Sequence, residues 1–296
     1  MFKNAFIYRL ASDLPELSEV ETSLHSAIFT PCGPTQEKSI GWVPPRGHEH
    51  GALVESVGGQ WILSLKTEIK KVPAKMVKDE ADRHLKGMEL LTGRKSGKKQ
   101  RKEKEEDVLL SFLPHAFPSS HITKVWINPE SGLAVIDAGS QSKADEAVTE
   151  LIRSIDGLTL QLVTTNMTPA SSMALWLVEM EPPEGFTVDR ECELRAMDES
   201  KAVVKYGRHP LDIEEVADHI KQGKMPTKLA LTYKDRVSFV LTDAFVLKKI
   251  TILDVVFESQ NESEDHFDAD VAIMTGELAP MLEDLIFGLS GEFEAA

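Results

Sequence analysis

Residues 121–139, "HITKVWINPESGLAVIDAG", give the clearest indication of the fold class. Two short runs of strand-forming residues flank the turn sequence "NPESG", which is the pattern of a β-hairpin. Residues 142–155 then carry apolar side chains at the spacing of an amphipathic helix, and "LTLQLV" at 158–163 is typical of a strand. The chain therefore predicts a ββαβ module at its centre, with antiparallel strands and a packed helix.

The same patterns recur on both sides of this module. Further strands are predicted over 2–10, 60–69 and 201–207, and further helices over 16–29, 168–180 and 212–223. The helix at 212–223 has Asp212 as its expected cap and Gly223 as its expected end. Residues 30–51 are rich in Pro and Gly, which indicates a loop.

The last quarter of the chain predicts a meander followed by a helix. Three successive strands are expected over 227–233, 236–242 and 247–253. A fourth strand is expected over 264–277, and a helix over 278–291 closes the chain. The fold class that follows is α+β, with mainly antiparallel sheets and flanking helices.

The length of 296 residues favours more than one structural part. The order of predicted elements suggests four parts, which can pack together as non-contiguous domains. They are an N-terminal α/β part (1–70), a basic helical arm (71–118), the ββαβ module (119–180) and a C-terminal α/β part (181–296).

Charge is distributed very unevenly along the chain. The total formal charge is −15, yet residues 66–104 contain 14 Lys and Arg against 6 Asp and Glu. That segment carries +8, so the remainder carries −23. A basic segment on an acidic protein indicates one surface suited to a polyanion, while the rest of the molecule repels it.

The centre of this basic segment is "TGRKSGKKQRKEKEED", residues 92–107. Pro73 begins a predicted helix that ends at Gly93, and a second helix is predicted over 99–112 with apolar residues only in its last turns. Its first half should therefore project from the core while its second half docks. The simplest interpretation is a solvated helix start; the alternative is a phosphate-contacting surface formed by Lys98, Lys99, Arg101 and Lys102.

An aromatic residue follows the basic segment. "LPHAFPSSH", residues 113–121, places His115 and Phe117 in a loop bounded by prolines. A basic surface beside an exposed aromatic ring is a plausible nucleic-acid contact. The competing interpretation is that Phe117 is a core residue, as most phenylalanines are.

Composition excludes several classes of protein. No apolar run approaches the roughly 20 residues of a membrane span, and the N-terminus lacks the pattern of a signal peptide. The two cysteines lie far apart, which favours a reducing, cytosolic compartment. Sequence motifs for nucleotide binding or for a serine nucleophile are absent. The acidic run at 262–270 leaves one metal-dependent alternative open, in which Asp268 and Asp270 share a strand face.

Seven blocks of sequence together resemble one known family, the RdgC family of bacterial recombination-associated proteins. Their order along the chain, from residue 2 to beyond residue 270, makes the resemblance specific. The blocks are "FKNAFIYRL", "FTPCG", "GWVPP", "LLSFLPHAF", "KVWINPESGLAVIDA", "GKMPTKLAL" and "FDADVAIMTGEL".

The resemblance implies a fold, a partner and an activity. It implies two curved, multi-domain subunits that pair into a closed ring, with double-stranded DNA passing through the central hole. It also implies DNA binding with little sequence preference, no enzymatic activity, no cofactor, and a restraining effect on RecA-promoted recombination. Such a protein would be cytoplasmic and associated with the nucleoid.

The resemblance also implies particular contact residues. The family's DNA-contacting phenylalanine corresponds to Phe117, and many relatives have Arg where this chain has His115. The family's second basic contact falls in "KYGRHP", which gives Lys205, Arg208 and His209. Two other functions remain as alternatives to a DNA-encircling homodimer. One is a metal-dependent nuclease that uses Asp268 and Asp270, and the other is a protein-interaction adaptor that does not bind DNA.

Overall fold

A computed structural model describes residues 1–256 and 266–293 of the chain. Its strands are β1 Asn4–Leu10, β2 Lys38–Val43, β3 Val54–Val57, β4 Gln60–Lys70, β5 Pro118–Asn128, β6 Leu133–Asp137, β7 Leu160–Leu162, β8 Phe186–Ala196, β9 Val203–Gly207, β10 Lys224–Tyr233, β11 Val237–Thr242 and β12 Val246–Ile252. Its helices are α1 Leu17–His25, α2 Ala74–Thr92, α3 Lys98–Phe112, α4 Gln141–Ser154, α5 Pro169–Glu179, α6 Glu214–Lys221 and α7 His266–Gly288.

These strands form one antiparallel sheet. Its path runs β2-β4-β5-β6-β1-β12-β11-β10-β8-β9, while β3 pairs with β4 and β7 pairs with β1. The junction between the two halves is the pairing of β1 with β12, for example Ala5 with Leu247. The predicted α+β class with antiparallel sheets is confirmed. The division into four parts stays a prediction, although strands from three of those parts share this sheet.

The hairpin predicted within residues 121–139 has the expected form. β5 and β6 pair antiparallel up to Asn128 and Leu133, and α4 and β7 complete the predicted ββαβ module. The Asn128 side-chain oxygen accepts hydrogen bonds from the backbone N–H groups of Glu130 and Ser131 at 3.1 and 3.3 Å. Gly132 has a φ of +65°, a conformation that glycine adopts at little cost. Local side-chain chemistry therefore sets this turn.

Helices cover different faces of the two halves of the sheet. α1 and α4 pack on one face of the N-terminal half, where Trp42 and Leu63 are fully buried. α5, α6 and α7 pack on the opposite face, mostly over the C-terminal strands, around Leu229, Phe239 and Met281. Because side chains alternate along a strand, β8 to β10 present their intervening polar residues to the other side.

The segment predicted as a loop over 30–51 contains a strand, so that prediction was wrong for Lys38–Val43. β2 pairs with β4, and the side chain of Trp42 in β2 is completely buried. The Trp42 indole N–H donates to the Ser154 hydroxyl at 2.8 Å. Proline and glycine signals surround β2 on both sides, and only its pairing with β4 and the core beneath it make it a strand.

The strand predicted over 264–277 was also wrong. Residues 264 and 265 lie outside the described residues, and α7 runs through the rest without a break. Buried residues recur along it at three- and four-residue intervals, at Val271, Met274, Leu278, Leu282 and Leu285, which is a helical period. No helix in the described residues has both the length and the apolar character needed to cross a membrane.

Smaller differences concern helix and strand ends. α6 begins after Ile213, which replaces Asp212 as the N-cap residue and provides no side-chain cap. α2 does begin after Pro73 and end at Gly93, whose φ of +69° makes it a left-handed C-cap. The long strand β8 was not predicted at all.

Candidate nucleic-acid interface

The basic arm consists of α2 and α3, inserted between two strands of the sheet. β4 and β5 pair along their whole length and stop at Lys70 opposite Pro118, and the arm is connected at that end. The two helices would span about 28 and 22 Å. They pack on each other through a small cluster of Val77, Ala81 and Val108. Val108 is the buried residue of α3, so the first half of that helix is exposed, as predicted.

Three lysines at the start of α3, Lys98, Lys99 and Lys102, are exposed and at most weakly paired. Lys99 lies 3.9 Å from Glu103, and Lys102 lies 3.7 Å from Glu106, each pair four residues apart on one helix. Exposed pairs of this type contribute little free energy and are screened by salt. Lys98 forms no ion pair with any residue that the structure describes. These ammonium groups are therefore available to an incoming anion.

Arg101 differs from its neighbours because its partner lies on the other helix. Its guanidinium Nη1 lies 2.9 Å from an oxygen of Asp82 on α2. The pair ties the first turn of α3 to the middle of α2. Both side chains remain about half exposed, so Arg101 keeps unused N–H donors that face solvent.

Phe117 is fully exposed at the base of the arm, with 93% of its surface accessible. A short 3₁₀ turn, Leu113–His115, precedes it, and Leu113 is completely buried and anchors that turn. The interpretation of Phe117 as a core residue was therefore wrong. His115 is also exposed, two residues away. The phenyl ring of Phe117 is therefore accessible to another molecule at the base of the arm.

The second predicted basic region lies on the edge strand β9 and in the loop after it. Lys205 on β9 forms an ion pair of 3.1 Å with Glu193 of β8. Arg208 follows the strand with a φ of +57° and is exposed. The His209 ring nitrogen Nδ1 lies 2.8 Å from the Pro210 carbonyl oxygen, so that nitrogen carries the proton it donates.

The two basic regions lie at opposite ends of the sheet. The strands that carry the arm, β4 and β5, are second and third in the sheet order, and β9 is last. The fold thus places Lys98, Lys99, Arg101 and Lys102 in the first turns of α3, and it places His115 and Phe117 just beyond the other end of that helix. It holds Lys205, Arg208 and His209 apart from them, across the intervening strands.

A cluster that was not predicted surrounds Glu193, a buried carboxylate in the middle of β8. Lys228 and Lys205 contact it at 3.0 and 3.1 Å. Hydrogen bonds from Lys228, Lys205 and Thr227 lower the pKa of Glu193 to about 2 against the opposing effect of burial. The alternation of Cys192 and Leu194 with charged neighbours is a pattern from which β8 could have been predicted.

Comparison with known proteins agrees with the resemblance of the sequence blocks. A family model described as "Putative exonuclease, RdgC" matches residues 1–292. A protein of Herminiimonas arsenicoxydans named "Recombination-associated protein RdgC" is 43% identical over 98% of both chains. Proteins of the same name from Janthinobacterium sp. (strain Marseille) and Dechloromonas aromatica (strain RCB) are 42% and 41% identical, over 99% and 98% of both chains.

The chain belongs to the RdgC family. The match extends over nearly the whole chain, so the arm, the sheet and α7 are all within it. The names of these relatives of the RdgC-family chain describe them as recombination-associated proteins.

The nuclease alternative for this RdgC-family chain required Asp268 and Asp270 to share a strand face. Both residues lie on α7, where two positions apart means about 200° around the helix axis. Asp268 accepts from the Arg46 guanidinium at 2.5 Å. Within residues 1–256 and 266–293, no three His, Cys, Asp or Glu side chains lie close enough to hold a metal ion. The predicted carboxylate pair is therefore not formed.

Proposed function

We propose that this protein binds double-stranded DNA without sequence preference, as a ring-shaped homodimer that encircles the duplex. In this role it modulates RecA-promoted recombination and replication-associated repair. It acts in the cytoplasm, on DNA of the nucleoid, by binding and without catalysis. The observation that carries the proposal is the placement of two exposed basic regions at opposite ends of one sheet in an otherwise acidic protein.

The chemistry of the basic arm supports binding to the DNA backbone. Its lysines are flexible, exposed and weakly paired, which suits contacts to phosphates and not the reading of base edges. Lysine contacts to phosphate release counterions, and that release provides affinity on any sequence. Phe117 adds an apolar group that can insert beside a base pair or stack where the duplex opens.

The distribution of charge supports encirclement. Two copies related by a two-fold axis would place four basic regions around an enclosed duplex. The remainder of each subunit is strongly acidic and repels DNA from the outside. A closed ring also explains how contacts without base readout could give long-lived binding, because the protein leaves only by opening or by sliding off an end.

A topological retention assay tests the ring. The protein is bound to a closed circular plasmid and to the same plasmid linearised, and both complexes are then challenged with high salt. Retention on the circle, with release after a single restriction cut, is the expected result. Equal dissociation from both DNAs would show that the protein does not encircle the duplex.

Two controls separate the competing functions. Absence of a DNA complex at moderate salt would favour the adaptor and overturn DNA binding altogether. Release of nucleotides from an end-labelled duplex in the presence of Mg²⁺ or Mn²⁺ would favour a nuclease. Loss of that release in Asp268→Ala would then assign the activity to this chain and not to a contaminant.

Modulation of RecA follows from occupancy of the duplex. A duplex surrounded by protein is a poor partner for strand invasion, so no direct contact with RecA is required. Strand exchange by RecA should slow when the duplex is precoated, and the effect should disappear with a variant that no longer binds DNA. Inhibition that persists with such a variant would indicate direct contact.

A further inference from the structure

Three cations from three strand positions converge on one carboxylate at the far end of the sheet. The Glu193 carboxylate lies 3.0 Å from the Lys228 ammonium, 3.1 Å from the Lys205 ammonium and 3.4 Å from an Arg195 guanidinium nitrogen. The Thr227 hydroxyl donates to it at 2.9 Å. Only 8% of the Glu193 side chain is exposed.

Strand register creates this convergence. Lys205 of β9 and Lys228 of β10 are the residues directly opposite Glu193 on its two neighbouring strands. Arg195 is two residues further along β8, on the same face. Cys192 and Leu194, on either side of Glu193 in the chain, point to the opposite face, where they join the core covered by α5, α6 and α7. The cluster thus occupies the face away from those helices.

The charges in this cluster do not balance. One carboxylate serves three cations, so the cluster keeps a net positive charge. The carboxylate is sealed beneath, while each of the three cationic side chains is between two-fifths and seven-tenths exposed. A Lys or Arg has more donors than one carboxylate can use, and the remaining N–H groups reach solvent. This is the arrangement of an anion site whose cations are held together by a buried counter-ion.

We propose that Glu193 is a positioning residue that assembles Lys205, Lys228 and Arg195 into one phosphate-binding cluster for the DNA backbone. The inference rests on the proposed function, and it adds Lys228 and Arg195 to the contact surface at this end of the sheet. Glu193 does not touch the phosphate. It offsets the mutual repulsion of the three cations and fixes where their free donors point.

This role predicts that loss of the Glu193 charge weakens DNA binding, whereas a simple count of charge predicts tighter binding. Replacing a carboxylate with an amide adds one positive charge, which by itself should tighten binding to DNA. Without the shared partner, however, the three cations can move apart. We expect Glu193→Gln to weaken DNA binding about tenfold, which is the value of one charge-assisted hydrogen bond to a phosphate.

Glu191→Gln is the matched control. Glu191 lies two residues away on β8 and on the same face, and it contacts one cation, Lys249, at 2.7 Å. Glu191 is about half exposed. Its replacement by Gln changes the net charge by the same amount as Glu193→Gln. We expect Glu191→Gln to bind DNA as tightly as the wild type, or more tightly. A Glu193→Gln variant that keeps its fold and behaves like Glu191→Gln would overturn the proposal.

A second variant keeps the proposal testable if Glu193→Gln fails to fold. Lys228→Gln leaves the carboxylate with two cations and should flatten the slope of log K against log salt by about 0.9. Lys221→Gln, at an exposed position on α6, should leave that slope unchanged. Equal slopes for these two variants would overturn the cluster while leaving the proposed function intact. A wild-type protein that does not bind DNA would overturn both.

Discussion

Two regions of this molecule collect positive charge in contrasting ways. In the arm, Lys99 and Lys102 find their acidic partners four residues along the same helix, and both members of each pair are exposed. In the sheet, Lys205 and Lys228 find theirs on a neighbouring strand, at a carboxylate that is buried. The arm is therefore a local and salt-sensitive charge array, and the sheet cluster is a tertiary one.

The difference shows how charge number and charge arrangement can be separated. On the arm, each lysine should act almost independently, because exposed pairs are weak and screened. In the sheet cluster, three cations depend on one carboxylate, so a single substitution there should affect all of them.

The largest effect is expected from the arm. Replacing Lys98, Lys99, Arg101 and Lys102 together with Gln should weaken DNA binding similarly on every sequence. The dependence of log K on log salt should flatten by up to about 0.9 for each phosphate that the variant no longer neutralises, while the free energy of unfolding changes by less than about 1 kcal/mol. Titrations over a range of salt, with chemical denaturation in parallel, measure both. An unchanged slope would show that the arm faces away from DNA.

The sheet cluster should differ by contributing to stability in a pH-dependent way. The pKa of Glu193 is lowered to about 2, so its stabilisation is complete above the unfolded pKa, roughly pH 5 and higher. It is lost as pH falls towards 2. The difference in unfolding free energy between wild type and Glu193→Gln should therefore shrink by about 2 kcal/mol from roughly pH 7 to pH 3.

The arm provides the control for that pH dependence. Glu103→Gln removes a carboxylate whose partner, Lys99, is almost fully exposed. Its effect on unfolding free energy should stay below about 0.5 kcal/mol at both pH values. If Glu193→Gln is equally insensitive to pH, the cluster is no more than another exposed ion pair, and the contrast between the two regions fails.

The smallest effect concerns Phe117, which belongs to the arm side of the contrast. Phe117→Ala should weaken DNA binding by about 1–2 kcal/mol and leave the melting temperature nearly unchanged, because the ring is exposed. Phe287→Ala is a matched control on α7, where the ring is 83% exposed. It should not change DNA affinity.

Sedimentation of the Phe117→Ala variant completes that test. A protein that keeps its fold but dissociates to monomers would place Phe117 in the interface that closes the ring. Unchanged affinity together with an unchanged oligomeric state would remove Phe117 from the DNA-binding surface.

Sequence patterns correctly predicted those features of this protein that depend on residues close together in the chain. The hairpin at 121–139, the helix end at Gly93 and the three-strand meander were all predicted correctly, because turn, cap and periodicity signals act over a few residues. The separation of a basic arm from an acidic remainder was also visible, since charge is a property of composition.

Features that depend on contacts between residues distant in the chain could not be predicted from the sequence. β2 became a strand because β4 pairs with it, and α7 became one helix because its apolar face meets the core at a helical period. In the segment after α3, Leu113 is the residue that is buried in the core, and Phe117 is exposed. The Glu193 cluster needed the register of β8, β9 and β10, which joins residues distant in the chain and leaves no local signal in the sequence.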